Sequence, residues 1–201
     1  MSKETPGVRY AEIERESKAT RVQVVLDLDG GSRRDISTGI HFFDHMLSEM
    51  AYHGEIDVGV VAEGDLEVDD HHTAVDVGVV LGQAVAMAIE ADDGIVRFGN
   101  ANVPCEDALV NVSLDLRGQG SLYSDLRFQR DRIGGLSSQS VNEFFRAFAI
   151  NSQMTLHVRQ LAGSNDHHLC EAAFKALGLA MHDAIERTDR RGSSASKGTR
   201  D

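Results

Sequence analysis

Asp69-Asp70-His71-His72-Thr73-Ala74-Val75-Asp76 has a counterpart about a hundred residues later, Asn165-Asp166-His167-His168-Leu169-Cys170-Glu171. Each histidine pair begins a segment whose apolar residues recur with helical spacing, so both pairs are predicted at the start of a helix. Consecutive helical residues point about 100° apart, which lets one pair serve two metal ions or two subunits. In the second copy His167 and Glu171 share a helical face, whereas the first copy has Val75 at the matching position.

The repeated histidine pairs indicate a transition-metal site. Neutral imidazole is the commonest protein ligand for Mn, Fe, Co, Ni and Zn. A single histidine is more often a structural residue held by hydrogen bonds, but repetition of the pair favours metal binding. Four further histidines support this interpretation: His41, His45, His53 and His157.

The composition of the 201-residue chain is that of a soluble globular protein, with 41% hydrophobic and 26% charged residues. A net charge of −12 argues against nucleic acid or an anionic membrane as a partner. No apolar run reaches the ~18 residues of a membrane span and no signal peptide is recognisable, so a cytoplasmic location is expected. Cys105 and Cys170 lie outside any CxxC spacing and are predicted to be reduced thiols.

The first half of the chain is predicted to alternate between strands and helices. Residues 1–12 carry little pattern and are predicted to be a loose lead-in. Arg21 to Asp29 alternates as a strand does, and Asp29-Gly30-Gly31 predicts a hairpin turn before a second strand at Arg34–Ser37. The remaining predicted elements are a helix from His41 to His53, a strand from Ile56 to Ala62, a short strand at Leu66–Val68 and a helix from His71 to Ala91.

The second half repeats this plan, which predicts an internal duplication of roughly ninety to a hundred residues. Its predicted elements are strands at Ala108–Leu116, Ser121–Phe128 (as its neighbour) and Thr155–Gln160, and helices at Val141–Met154 and His167–Ile185. The predicted fold is α+β, with the helices sandwiched between two four-stranded sheets. Residues 1–100 and 101–189 would be half-repeats of one compact domain, and residues 190–201 a flexible tail.

Several motifs resemble the imidazoleglycerol-phosphate dehydratase family, and the resemblance covers about residues 9–198. The motifs include Leu28-Asp29-Gly30, Phe43-Asp44-His45-Met46-Leu47, Val68-Asp69-Asp70-His71-His72-Thr73, Asn165-Asp166-His167-His168 with Glu171, and Ser196-Lys197-Gly198. The resemblance implies a manganese-dependent lyase of histidine biosynthesis that dehydrates imidazole glycerol phosphate to imidazole acetol phosphate. It also implies a large homo-oligomer, usually of 24 subunits in that family, with active sites between subunits.

The resemblance further implies roles for individual residues. Two Mn²⁺ ions per site would be held by His45, His71, His72, His157, His167, His168 and Glu171. The residues implied in catalysis are His45, His71, Glu171 and Lys175. The phosphate would be bound by Arg97 and Lys197, with Ser196 beside Lys197. From strand geometry and not from the resemblance, Arg117 is a substitute for the arginine missing at Gln119, since on a strand the two would share a face.

Four positions depart from the family pattern: Ala19 and Val75 replace carboxylates, Gln119 replaces an arginine and Ala195 replaces a serine. Two hypotheses remain open. One is an active enzyme that uses substitutes, although Asp76, i+4 from His72, is rotated about 100° from position 75. The other is a paralogue that keeps the fold, the assembly and part of the metal site but has little or no activity. A two-metal hydrolase is a weaker third class, because such sites depend on bridging carboxylates.

Overall fold

A computed structural model describes residues 8–31, 33–90 and 94–188. Within these residues four helices lie between two four-stranded sheets, which confirms the predicted α+β fold. The strands are β1 (Tyr10–Glu16), β2 (Thr20–Asp27), β3 (Arg34–Ser37), β4 (Asp57–Gly64), β5 (Phe98–Cys105), β6 (Ala108–Asp115), β7 (Ser121–Ser124), β8 (Arg132–Ile133), β9 (Leu136–Ser137) and β10 (Thr155–Ala162). The helices are α1 (His41–Gly54), α2 (His71–Glu90), α3 (Ser138–Asn151) and α4 (Asp166–Ile185).

The two sheets have the same connectivity. Their strand orders are β1-β2-β4-β3 and β5-β6-β10-β7. In each sheet the first two strands are antiparallel neighbours, while the third strand is parallel to the last. Parallel neighbours need a crossover, which α1 supplies in the first half and α3 in the second. The second half begins no later than β5, which spans the predicted boundary at residue 100 and pairs with β6 along its length.

Three predictions in the first half were wrong. β1 occupies part of the predicted lead-in; it is an edge strand whose only apolar inward residues are Ala11 and Ile13, so its apolar alternation is weak. β2 and β3 do not form a hairpin, because β4 lies between them. The loop from β2 instead folds over β4, where the Asp57 carboxylate accepts hydrogen bonds from the Gly31 and Arg33 N–H groups. Residues 66–68 form a turn where a short strand was predicted.

Two strand predictions in the second half also need correction. β7 pairs with β10 and not with β6, because β10 takes the place between them. The sequence analysis missed β5, an edge strand that contains Pro104 and two asparagines, residues that are depleted in strands. The predicted tail at residues 190–201 lies outside the described residues.

The helix layer is built from two side-by-side pairs, α1 with α4 and α2 with α3. Each pair meets at a buried glycine: a Cβ added at Gly178 would lie 2.3 Å from the Met50 carbonyl oxygen, and one at Gly82 would lie 2.7 Å from that of Phe148. The helices therefore touch backbone to backbone. α2 is long and apolar enough to cross a membrane by length and composition alone, but it packs against α3 and the first sheet as a core helix does. Both cysteines are free thiols, as predicted.

Candidate metal centre

Hydrogen bonds to side chains fix the start of α4. The Asn165 side chain caps the helix by accepting from the backbone N–H groups of His167 and His168, at 3.0 and 3.4 Å. The buried Asp166 carboxylate accepts from the Gln129 and Arg130 N–H groups, both at 2.9 Å. These contacts set the direction in which the two histidine side chains leave the helix.

The first of the two histidines belongs to a compact group of potential metal ligands. His45 of α1 and His167 and Glu171 of α4 each offer a ligand atom, and these atoms all lie within 4.8 Å of one another. No other group of three His, Cys, Asp or Glu side chains meets that description in the part of the chain that the structure covers. Two imidazoles and one carboxylate form a donor set suited to a divalent transition metal.

A ladder of charged side chains continues this group along α1 and α4. Lys175 Nζ lies 2.6 Å from a Glu171 oxygen and 3.4 Å from a Glu49 oxygen. Glu49 also faces His45 at 3.9 Å and His53 at 3.5 Å. The sequence analysis did not identify Glu49, although its spacing of four residues from both histidines places all three on one helical face. We call the side chains at 45, 49, 53, 167, 171 and 175 the α1–α4 ladder.

Electrostatic contacts within the ladder favour the charged forms of Glu171 and Lys175. Burial opposes ionisation of Glu171, but the hydrogen bond and charge of Lys175 and the nearby histidines outweigh it and lower the Glu171 pKa. The hydrogen bond to Glu171 raises the pKa of Lys175, and the charge of Glu49 acts in the same direction. The lysine therefore holds its proton firmly at neutral pH.

The second histidine of the pair points elsewhere and has its own carboxylate. His168 Nδ1 lies 2.7 Å from an oxygen of Asp107, a residue in the β5–β6 turn. The Ser164 N–H and His168 both bond to Asp107 and lower its pKa to about 2. With Nδ1 held by a carboxylate, Nε2 is the nitrogen left for a metal. The ring planes of His167 and His168 stand at 84° to each other, with their centroids 6.1 Å apart.

The first histidine pair has no comparable environment. His71 and His72 are exposed at the start of α2, and within the described ranges neither side chain meets a carboxylate. Asp76 does not substitute for a carboxylate at position 75, because its oxygens are bonded to Arg15 and to the Thr20 hydroxyl. His157, also predicted as a ligand, stacks on Tyr123 in the second sheet, with ring centroids 4.7 Å apart.

The two arginines predicted to bind phosphate lie far from the α1–α4 ladder within one chain. Arg97 is buried and forms a two-point ion pair with Asp115, through Nε at 2.6 Å and Nη2 at 2.9 Å. Its backbone N–H donates to Ala184 near the C-terminal end of α4, whereas His167 is at the N-terminal end. At 1.5 Å per helical residue, these ends are about 25 Å apart.

Arg117 lies at the same end of the second sheet as Arg97. Its carbonyl accepts from Arg97, and its N–H donates to Asp115 at 3.0 Å. Arg117 and Gln119 follow β6 in a turn, so the expectation that a strand places them on one face was wrong. Ser196 and Lys197, the other residues predicted to bind phosphate, and Ala195 lie outside the described residues.

Comparison with known proteins identifies the family. The chain matches the family model for imidazoleglycerol-phosphate dehydratase over residues 38–181. It is 50% identical over 183 residues to the imidazoleglycerol-phosphate dehydratase of Thermoanaerobacter pseudethanolicus, covering 91% of this chain and 94% of that protein. The relative from Caldicellulosiruptor saccharolyticus is 46% identical with the same coverage.

Solved structures of the same family match the fold of this chain. The crystal structure of imidazoleglycerol-phosphate dehydratase from Staphylococcus aureus matches with a TM-score of 0.81 at 30% identity, covering 89% of this chain and 99% of that one. The Pyrococcus furiosus enzyme matches with a TM-score of 0.78 at 34% identity, covering 90% and 98%. The chain therefore belongs to the imidazoleglycerol-phosphate dehydratase family, lyases of histidine biosynthesis.

Proposed function

We propose that this chain dehydrates imidazole glycerol phosphate to imidazole acetol phosphate in the cytoplasm with the help of a bound divalent metal, Mn²⁺. The family supplies the dehydratase reaction, and the observation that supports metal dependence is the convergence of His45, His167 and Glu171 within 4.8 Å. The hypothesis of an inactive paralogue gains no support from the comparisons, because the relatives are named dehydratases across nine-tenths of the chain.

The residues present fit such an ion. Neutral imidazoles leave a divalent ion strongly Lewis-acidic, and one carboxylate adds charge without quenching it. When bound, Mn²⁺ would supply Lewis acidity toward the imidazole of the substrate. Glu171 presents one oxygen to His167 at 3.3 Å and the other to Lys175, so it can bind the ion and the lysine at the same time.

Lys175 is the positively charged hydrogen-bond donor of this site. Dehydration expels a hydroxyl group, which leaves more readily when a charged donor stabilises its oxygen. Lys175 Nζ carries three N–H donors next to the proposed metal position, and Glu49 and Glu171 hold it from two sides. We assign Lys175 to orienting this hydroxyl and to stabilising the negative charge on its oxygen as the C–O bond breaks, through a charge-assisted hydrogen bond.

The position of the arginines supports an assembled enzyme. If Arg97 or Arg117 binds the substrate phosphate while the α1–α4 ladder binds the imidazole, one chain cannot do both, because the two sites are about 25 Å apart. A small phosphorylated imidazole is much shorter than this distance. We therefore propose a homo-oligomer in which one chain offers the ladder and another offers the arginines, with no nucleic acid or membrane partner.

The test is a dehydratase assay on the protein treated with a chelator and then resupplied with Mn²⁺. Turnover should disappear on chelation and return with the metal. The variant His167→Ala should stay inactive after Mn²⁺ is added. His41→Ala is the matched control, since His41 lies one turn before His45 on α1 but is fully exposed and outside the ladder. Full turnover by the chelated protein would refute metal dependence.

A further inference from the structure

The internal duplication allows the two helix pairs to be aligned position by position. Gly178 of α4 lies against Met50 of α1, and Gly82 of α2 lies against Phe148 of α3. Eleven residues before each glycine is a histidine, His167 or His71. The α2–α3 pair is thus the structural counterpart of the pair that carries the ladder.

The α2–α3 pair lacks the potential metal ligands that the ladder carries at the equivalent positions. Seven residues before the glycine, α4 has Glu171 and α2 has Val75. Five residues before the contact on the partner helix, α1 has His45 and α3 has Glu143. Glu143 forms an ion pair with Arg146 at 3.4 Å, and this pair would have to break before Glu143 could replace the missing carboxylate.

The carboxylate behind the second histidine is also missing from the first half. Asp107 immediately precedes β6 and binds His168. The residue immediately before β2, the equivalent strand, is Ala19. His72 therefore lacks the partner that would orient its ring and increase its basicity. Asp76, the nearest carboxylate on α2, is held by Arg15 and Thr20.

We infer that this chain binds one divalent ion tightly per subunit, at His45, His167 and Glu171, and that the half-site at His71 and His72 binds a second ion only weakly. The inference rests on the proposed metal dependence, and it departs from the two ions per site that the family resemblance implies. The physical reason is charge: the half-site at His71 and His72 offers only neutral imidazoles, whereas the site at His45 and His167 adds the anionic oxygen of Glu171.

The test measures bound Mn²⁺ in the full-length assembled protein by equilibrium dialysis and metal analysis, and locates it by anomalous X-ray scattering. The wild type should hold about one ion per chain tightly, with any second ion bound at least about tenfold more weakly. Val75→Glu should tighten the second ion at least about tenfold, because it restores a carboxylate four residues from His71. Gln83→Glu is the matched control: it adds the same charge to an exposed position of α2 about 12 Å further along the helix than position 75, and it should leave the second ion weak.

Two results would overturn the inference. One is two ions of equal affinity in the wild type. The other is strong anomalous signal at His71 and His72 with none at His45 and His167, which needs no variant to fold. Because these readouts count ions and do not measure turnover, they are independent of the chelation assay: the protein could lose activity on chelation and still bind two ions equally.

Discussion

The α1–α4 and α2–α3 helix pairs share one backbone arrangement and differ in what they carry. Both are closed by a glycine against a carbonyl oxygen. Glu171 and Lys175 project from the first pair, and Val75 and Val79 occupy the equivalent positions of the second. Duplication has preserved the contact that spaces the helices while the chemistry at their surface has diverged, so a shared scaffold does not imply a shared site.

The largest expected effect comes from removing the ladder's carboxylate. Glu171→Gln keeps the size of the side chain but loses its charge, and Mn²⁺ affinity should fall by more than about a hundredfold, since residues that only orient ligands already change affinity about 10–100-fold. Val75→Gln places the same amide at the equivalent position of α2 and should leave the affinity of the tight site unchanged. Isothermal titration with Mn²⁺ compares the two variants. Similar losses in both would mean that the half-sites are equivalent.

The backbone contact is the next point of comparison. Gly178→Ala and Gly82→Ala each force a methyl group onto a carbonyl oxygen, and each should lower the free energy of unfolding by about 1–3 kcal/mol. Gly178→Ala should be the worse, because its clash is at 2.3 Å and that of Gly82 at 2.7 Å. Gly31→Ala is the control, as its added Cβ meets nothing within 4 Å. Urea unfolding followed by circular dichroism measures all three. Equal stability of Gly178→Ala and Gly31→Ala would contradict the proposed close contact.

A smaller effect is expected from the carboxylate that holds His168. Asp107→Ala should weaken the binding of an Mn²⁺ ion held by His168 by about tenfold, because the imidazole loses its orientation. Asp107→Asn keeps an acceptor for the backbone N–H groups of the turn and should weaken it less. Ala19→Asp, the reciprocal change in the first half, should not affect the tight site. Unchanged Mn²⁺ affinity in Asp107→Ala would show that His168 is not a ligand.

The smallest effect is on stability in acid. The pKa of Asp107 is lowered to about 2, so its contribution is fully present above the ordinary aspartate pKa of about 4 and is lost as the pH falls toward 2. Asp107 is exposed, which keeps this contribution small. In metal-free protein, the urea midpoint of Asp107→Asn should therefore fall less than that of the wild type between about pH 4 and pH 2. Parallel curves for the two proteins would rule this out.

The sequence predicted the helices well because their signals are local. The start of α2 at His71 agrees with the structure, and α4 begins one residue before the prediction, where Asn165 caps it. Edge strands were missed because half-exposed positions weaken the alternation, as in β1. The parallel pairing of β3 with β4 could not be predicted from the Gly30-Gly31 turn. It depends on how α1, which connects the two strands, packs against the sheet.

The candidate site was predicted only where its spacing is local or a family motif covers it. His167 and Glu171 are four residues apart on one helix, so their proximity follows from helical geometry. Asp107 is 61 residues from His168 and meets it through the turn of another hairpin, which no local pattern indicates. Glu49 shares a face with His45, but its contact with Lys175 depends on how α1 packs against α4.

The glycine contact at position 178 keeps the geometry of the metal site independent of substitutions elsewhere in the core. Because main-chain atoms of α1 and α4 touch there, the distance between the helices does not depend on the size of any side chain at that point. Substitutions between these helices and the sheets can then accumulate without moving His45 relative to Glu171. Natural variants and engineered libraries should accept changes on the sheet-facing side of α4 far more readily than any change at Gly178.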